Sequence, residues 1–583
     1  MKPGLDRPLV LILIVFFAGA AILSIRHKSA TVDEFAHLPA GYYYWLTRDF
    51  SLYAKNPPLV KMIASAPLLI AHPSAKRDQI GLRKDAWSPW DYGTRFMRAN
   101  WSRYKTLIFI GRLPVILLSA LLGLLVYLFS RSLYGKGAGL LSLFCFCLSP
   151  NILAHARLAT VDAGSSLFLF AATFALFRFL RHPGPLWALL AGLCLGLAQL
   201  TKFTALLWIP FFVVFTLVAG LWPRWLEPDK RVISKSWPGY FGYLVIILLI
   251  AWLVTCAGYG FKGLFQPTSS YTFYSAKMQK IQDVFAGLPA PLPEFYLQGL
   301  DAQVLDSEKG EFSNYLLGQW YRGRRWYYFL VALIFKVPLS LQIGFLIALF
   351  SGRRIPEGSG GRDPGSRGRW SVRPEEAGLV LIMLGIFAFF SAGSSLQIGI
   401  RYLVPLFPFA FVLIGRLAVI PLFGRIWFKS LLALLGLWLL ASSFFIYPDY
   451  LAYFNELCLG PRNGHKILLD SNIDWGQDLP GLAKYMKRKG IGRIHLAYFG
   501  HVDPALYGID YDLPAKPPVH EYTAISANLL SGFRYPLTYH DPPGVIKPEF
   551  LEPYLGQDPI SRIGYSIFIF KNPELMNLQG AKP

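Results

Sequence analysis

Residues 8–40 read PLVLILIVFFAGAAILSIRHKSATVDEFAHLPA. The stretch opens with an apolar run over 8–25, close to the roughly 20 residues a helix needs to cross a bilayer. It is longer than the h-region of about 7–15 residues in a secretory leader, so it reads as a retained first span. Two acids, Asp33 and Glu34, and a histidine, His37, follow at what becomes the membrane edge. Charges are expensive there and need a reason.

Similar runs recur down the chain, near 106–130, 137–153, 163–180, 186–201, 203–222, 241–257, 327–350, 378–396, 402–421 and 427–447. With the first they make eleven spans. A shorter run at 58–70 cannot cross and suits a helix lying along the interface. Composition agrees. Of 583 residues, 54% are hydrophobic and only 16% charged, where a soluble protein carries about 25% charged. Many of the basic residues behind the net charge of +23 sit in short loops, as the positive-inside rule requires, and others crowd 26–105, where they suit anionic lipid head groups or phosphates; they do not form a basic, aromatic-interleaved module for nucleic acid. Four of the five cysteines, Cys145, Cys147, Cys194 and Cys256, lie in apolar runs, so Cys458 has no evident partner and no disulfide framework is implied.

Arg131, Lys136, Arg178, Arg181, Arg425 and Lys429, with the arginines of a Gly/Ser/Pro-rich linker at 351–377, all fall on one side of an eleven-span chain. That side is expected to be cytoplasmic. The architecture expected is therefore an all-α polytopic plasma-membrane protein over 1–447, with outer loops at 26–105 and 259–326. A small extracytoplasmic α/β domain follows over 448–583. In that domain KILLDSN (466–472), RIHLAYFG (493–500), YTAIS (522–526) and YSIFIFK (565–571) read as strands. DLPGLAKYMKRKG reads as a helix capped by Asp478, with Pro480 in its first turn.

Six charged positions land at the outer ends of spans: the pair Asp33–Glu34, Arg112 in FIGRLP, Asp162 in ARLATVD, Lys202 in QLTKFT and Arg401 in IGIRYLVP. Helix caps and snorkelling account for charges of this kind one at a time. Together they describe a chamber for an anionic, membrane-embedded substrate. Thr31 and Glu34 match a capping box, Thr31-Val-Asp-Glu. Asp33 and His37 are then left free, four apart on one helix face, and a divalent ion between them is an alternative to a metal-free site. The aromatic run Tyr42–Trp45 reads as an interfacial belt.

DEFAH, followed by RDFSLYAKNPPLVKMI, resembles the opening of the GT-C type glycosyltransferases that use polyprenyl-phosphate donors. The subfamily resembled is that of the protein O-mannosyltransferases (glycosyltransferase family 39) and their bacterial relatives that add aminoarabinose to lipid A. The corresponding positions are Asp33-Glu34, Pro57-Pro58-Leu59 with Lys61, and Arg112; SPNILAHARLATVD and QLTKFT resemble the family's later acidic loop and lysine turn. The resemblance covers 30–210 and, more loosely, Arg401. It departs where the eukaryotic pattern has histidine before the Pro-Pro pair. Here that residue is Asn56, preceded by Lys55.

The resemblance implies a membrane glycosyltransferase that moves a sugar from a polyprenyl phosphate to an acceptor hydroxyl on protein, lipid or glycan, with inversion and with no required cofactor. It implies Asp33 as base within the acid pair Asp33-Glu34. Arg112, Lys202 and Arg401 would hold the donor phosphate, with Lys61 behind them. Asp162, His37, Lys55 and Asn56 would organise the site or the acceptor. Membrane lipids are the other expected partners, and nucleic acid is not one. The rival reading is a polyprenyl-linked sugar flippase or transporter, which would bring inverted repeats and broken spans near the midplane; the sequence displays neither clearly. A ligase using a diphosphate-linked donor is a third reading, weakened because 259–326 holds arginines but no histidine.

Overall fold

The computed structural model describes residues 6–75, 88–221, 237–351, 373–539 and 544–572. Eight helices in it are long and apolar enough to span a bilayer, and ten if each of two bent pairs counts as one span. Pro185–Gln199 is a further, shorter apolar helix. Each of the eleven expected runs coincides with one of these segments. The bent pairs are Lys136–Cys147 with Pro150–Ala156, at 65°, and Tyr328–Lys336 with Leu339–Phe350, at 111°. Both breaks sit at a proline, Pro150 and Pro338, which removes a donor and pushes the preceding residue out of helical geometry. Sequence reading took these spans as continuous. The breaks are tied together, since the Asn151 side-chain amide donates to the Lys336 carbonyl at 2.7 Å.

The charges sort to two ends of the bundle. At one end Asp6 takes Lys136 at 3.2 Å and Arg131 at 3.5 Å. Glu375 pairs with Arg181, and Glu376 lies 3.8 Å from Arg416. Most of the linker expected at 351–377 lies outside the described residues.

At the other end the three larger pieces meet. Lys55 of the first loop pairs with Asp306 at 2.7 Å, and Trp320 donates its indole N–H to the Ser531 carbonyl at 2.6 Å. Lys28, just after the first span, is held between Asp449 and Asp478. The 58–70 run forms two short helices, Leu59–Ser65 and Leu68–Ala71. The first lies so close to the helix Val32–Thr47 that a Cβ on Gly41 would stand 2.0 Å from the Lys61 carbonyl oxygen. Tyr42, Tyr43 and Tyr44 are buried in this packing and do not form a lipid-facing belt.

The C-terminal part is built on a five-stranded mixed sheet. Arg493–Ala497 is its parallel centre, flanked by Asp510–Asp512 and Tyr522–Ser526. Ile567–Lys571 and Ser561–Ile563 extend it antiparallel. Three of the four expected strands are present. KILLDSN is not one of them: it turns twice, through Pro461–Lys466 and Asp470–Asn472. Its polar side chains are drawn into bonds with the membrane part instead of a ladder. Asp478 likewise does not cap the helix Leu479–Lys489 with its side chain. Its carboxylate is taken by Lys28, Gln477 and Ser566.

Candidate active site

The helix Val32–Thr47 sets the site. Its capping box is formed: Glu34 Oε2 accepts the Thr31 backbone N–H at 3.0 Å and the Thr31 hydroxyl at 3.1 Å. The same carboxylate takes a two-pronged bond from Arg112, both contacts at 2.7 Å, and the Ala159 N–H at 2.8 Å. Arg112 spends its other donors on the carbonyls of Ile25, Lys28 and Ser29. Burial alone would raise the Glu34 carboxyl, but the guanidinium and the two backbone N–H groups hold it below its ordinary value. The pair is 1% and 0% exposed. Glu34 and Arg112 thus form a closed knot joining the ends of four chain segments, and every oxygen and most N–H groups are already used.

One residue earlier on the helix, Asp33 turns the other way. Its Oδ2 pairs with Arg401 at 2.5 Å. Arg401 lies 4.0 Å from Asp162, whose other oxygen accepts from Lys202 at 2.9 Å. Both cations lean on the Tyr402 ring, with Lys202 at 4.8 Å and Arg401 at 5.4 Å. Asp33, Arg401 and Lys202 keep 16%, 11% and 12% of their side-chain surface exposed. Asp33, Arg401 and Lys202 thus keep some open surface, whereas Asp162 and the Glu34–Arg112 pair are buried.

The remaining sequence candidates are placed as follows. Lys61 is buried and satisfied by the Tyr44 hydroxyl and the carbonyls of Tyr53 and Asn56, at 3.1, 2.7 and 2.7 Å. Burial holds its ammonium well below its ordinary value. Asn56 therefore takes part through its backbone. Lys55 is turned to Asp306. His37 packs its ring on Tyr53, 5.1 Å between centroids. Of the ten candidates the quartet meets directly, His37 adjoins it, and Glu34, Arg112, Lys61, Lys55 and Asn56 are held in separate structural contacts. Arg112 and Lys61, expected at the donor phosphate, are turned here to protein groups.

Sequence reading missed the wall opposite. The segment Asp470–Asp478, DSNIDWGQD, docks onto the loops around the quartet. Val32 and Ser29 donate backbone N–H groups to the Trp475 and Gln477 carbonyls at 3.0 and 2.9 Å. The Trp475 ring lies 4.5 Å from the Arg401 guanidinium. Asn472 accepts the Ile400 N–H at 3.0 Å, and Ser471 donates to the Ile398 carbonyl at 2.6 Å. Contact here is so close that a Cβ on Gly399 would meet the Ser471 hydroxyl at 2.1 Å. His501 adds to the same wall by stacking on Phe35 at 5.4 Å. The one available signal was density of polar residues in DSNIDWGQD, and that pattern equally describes surface turns.

Asp470 in this wall has a left-handed backbone, φ 56°, and burial raises its carboxyl to about 7 against the opposing pull of Arg401. The folded form therefore keeps a proton that the unfolded chain releases near pH 4. Stability contributed this way is full at low pH and is lost as pH climbs towards 7. Asp470→Asn is expected to remove that loss. Its melting midpoint should match wild type near pH 4 and exceed it by about 2–4 °C at pH 8. Equal midpoints at both pH values would disprove the account.

Among the described residues no three His, Cys, Asp or Glu side chains come together in a way that could hold a metal ion. Residues 105–254 match the family model described as dolichyl-phosphate-mannose-protein mannosyltransferase, so the family resemblance holds over that segment. The "Putative mannosyltransferase YkcB" of Bacillus subtilis is 36% identical over 111 residues, which is 18% of this chain and 16% of that relative's length. Among solved structures, ArnT from Cupriavidus metallidurans bound to undecaprenyl phosphate aligns over 98% of both chains with 13% identity and a TM-score of 0.46. The Saccharomyces cerevisiae protein O-mannosyltransferase Pmt1-Pmt2 complex bound to the sugar donor aligns over 48% of this chain and 38% of its own, with 19% identity and a TM-score of 0.32.

Proposed function

We propose that the chain is a membrane glycosyltransferase moving a sugar from a polyprenyl phosphate to an acceptor hydroxyl at the extracytoplasmic face. The observation that carries this is the partly exposed quartet Asp33–Arg401–Asp162–Lys202. The Asp33 carboxylate, paired with Arg401, stands there beside two cations that share the Tyr402 ring, at the end of the bundle opposite the basic loops. The match of residues 105–254 to a mannosyltransferase family model supports it.

In the free enzyme Arg401 neutralises Asp33. A donor phosphate entering from the lipid would compete for Arg401 and Lys202 through charge-assisted bonds, drawing Arg401 off Asp33 and leaving that carboxylate free to act as base. The acceptor oxygen then attacks the anomeric carbon and its proton passes to Asp33. The bond from that carbon to the phosphate oxygen breaks, and its electron pair leaves on the phosphate beside the two cations. Attack opposite to departure inverts the anomeric centre. A carboxylate is a weak base towards an alcohol, but an oxocarbenium-like transition state lets proton transfer come late. A single phosphate held by Arg401 and Lys202 needs no bridging metal, and Asp162 serves by holding Lys202 in place.

The test is to incubate the purified full chain with undecaprenyl phosphate carrying mannose, glucose or aminoarabinose and follow release of undecaprenyl phosphate. Release with at least one donor is expected. The two broken spans are a feature a transporter would share, so the same preparation should be assayed for lipid scrambling. No release with any donor, together with scrambling, would replace the enzyme by a flippase.

A further inference from the structure

His37 is 1% exposed, and neither ring nitrogen has a hydrogen-bond partner among the described residues. His501, by contrast, binds Thr538 through Nδ1 and Tyr535 through Nε2, while the nearby His155 leaves its Nδ1 unpaired. A buried polar group without a partner lowers stability, and each one in a folded protein calls for an explanation. Packing does not supply it. The ring rests on Tyr53, and phenylalanine would make the same contact without the two orphaned nitrogens.

Position supplies the explanation. His37 lies four residues beyond Asp33 on the same face of the helix, a rise of about 6 Å, and the charges of Asp33, Arg401, Asp162 and Lys61 all act on it. A group bound by His37 is therefore next to the reacting atoms. We propose that the His37 imidazole contacts substrate, one ring nitrogen bonding a hydroxyl of the transferred sugar or of the acceptor. This rests on the glycosyltransferase reading and deepens it.

The chemistry selects a hydroxyl over a phosphate. Burial, with Lys61 and Arg401 adding to it against Asp33, lowers the imidazole to about 4, so the ring is neutral at pH 7. A neutral imidazole has one N–H and one lone pair, and a hydroxyl both donates and accepts. A hydroxyl can therefore meet either ring nitrogen, whereas a phosphate oxygen can meet only the N–H. The division of labour is then spatial: cations on Arg401 and Lys202 for the leaving phosphate, a neutral ring for the hydroxyl.

The test compares wild type, His37→Phe and His37→Gln in the purified full chain. Phe removes the orphaned nitrogens and should melt about 2–4 °C above wild type while losing about 10–100-fold in transfer. Gln keeps a donor and an acceptor and should stay within about 10-fold of wild type. Binding of undecaprenyl-phosphate mannose is then measured against undecaprenyl phosphate alone. Loss of the sugar-dependent part of the affinity in the Phe variant assigns the hydroxyl to the sugar; an unchanged ratio with reduced transfer assigns it to the acceptor. A Phe variant that transfers at the wild-type rate, or melts below wild type, overturns the proposal alone. A wild type that turns over no donor overturns the proposal together with the reading beneath it.

Discussion

Asp33→Asn is expected to lower transfer by about 10²–10⁴-fold, the usual contribution of a general base, while donor binding holds or tightens. The reasoning runs through Arg401. In the wild type that guanidinium is paired with the Asp33 carboxylate, and donor phosphate must compete with it. Asparagine cannot take a proton from the acceptor, so chemistry stops. It also carries no charge, so Arg401 is freed for the phosphate and undecaprenyl phosphate should bind at least as tightly as to wild type. A merely structural Asp33 would predict the reverse, because disturbing the cluster would weaken binding along with turnover. Near-normal release of undecaprenyl phosphate by the purified variant would dismiss Asp33 as the base. Lost binding would dismiss the competition between carboxylate and phosphate.

Arg112→Met is expected to be the most destabilising substitution in the membrane part, by about 3–5 kcal/mol, because it leaves Glu34 buried without its counter-charge. Glu34 is wholly buried and has no route to water. Its remaining partners are neutral: two donors from Thr31 and the Ala159 N–H. The double change Glu34→Gln with Arg112→Met should recover much of the loss, since replacing both members of a buried pair is far milder than removing one. Unfolding in detergent, followed for both variants and wild type, gives the comparison. A single variant that folds with wild-type stability but binds undecaprenyl phosphate poorly would return Arg112 to the phosphate site, which is where its place in the sequence had put it.

That reassignment marks the limit of what was legible. Spans could be read because an apolar run is a local property, visible in any window of about 20 residues. The capping box could be read for the same reason, as its two members are three residues apart. The proline breaks at Pro150 and Pro338 were in plain view, but a proline in an apolar run does not announce whether the helix kinks or stops. The interfacial aromatics looked lipid-facing because Tyr and Trp favour that depth; the neighbouring short helices covered them instead.

By itself the sequence determined that the chain is a multi-pass membrane protein, where its apolar helices fall, and that acids and cations gather at one end with basic loops at the other. Only the tertiary structure decided which charge meets which. Arg112 and Arg401 are alike in sequence, each an arginine near the outer end of a span. One is spent on Glu34 and three carbonyls, and the other keeps some exposed surface between Asp33 and Asp162. The pairs join residues 78 and 368 positions apart. No periodicity reaches across such a distance, because helical spacing relates a residue only to neighbours three or four away. The same holds for the wall Asp470–Asp478, whose role was set by the loops it docks on and by nothing in its own order of residues.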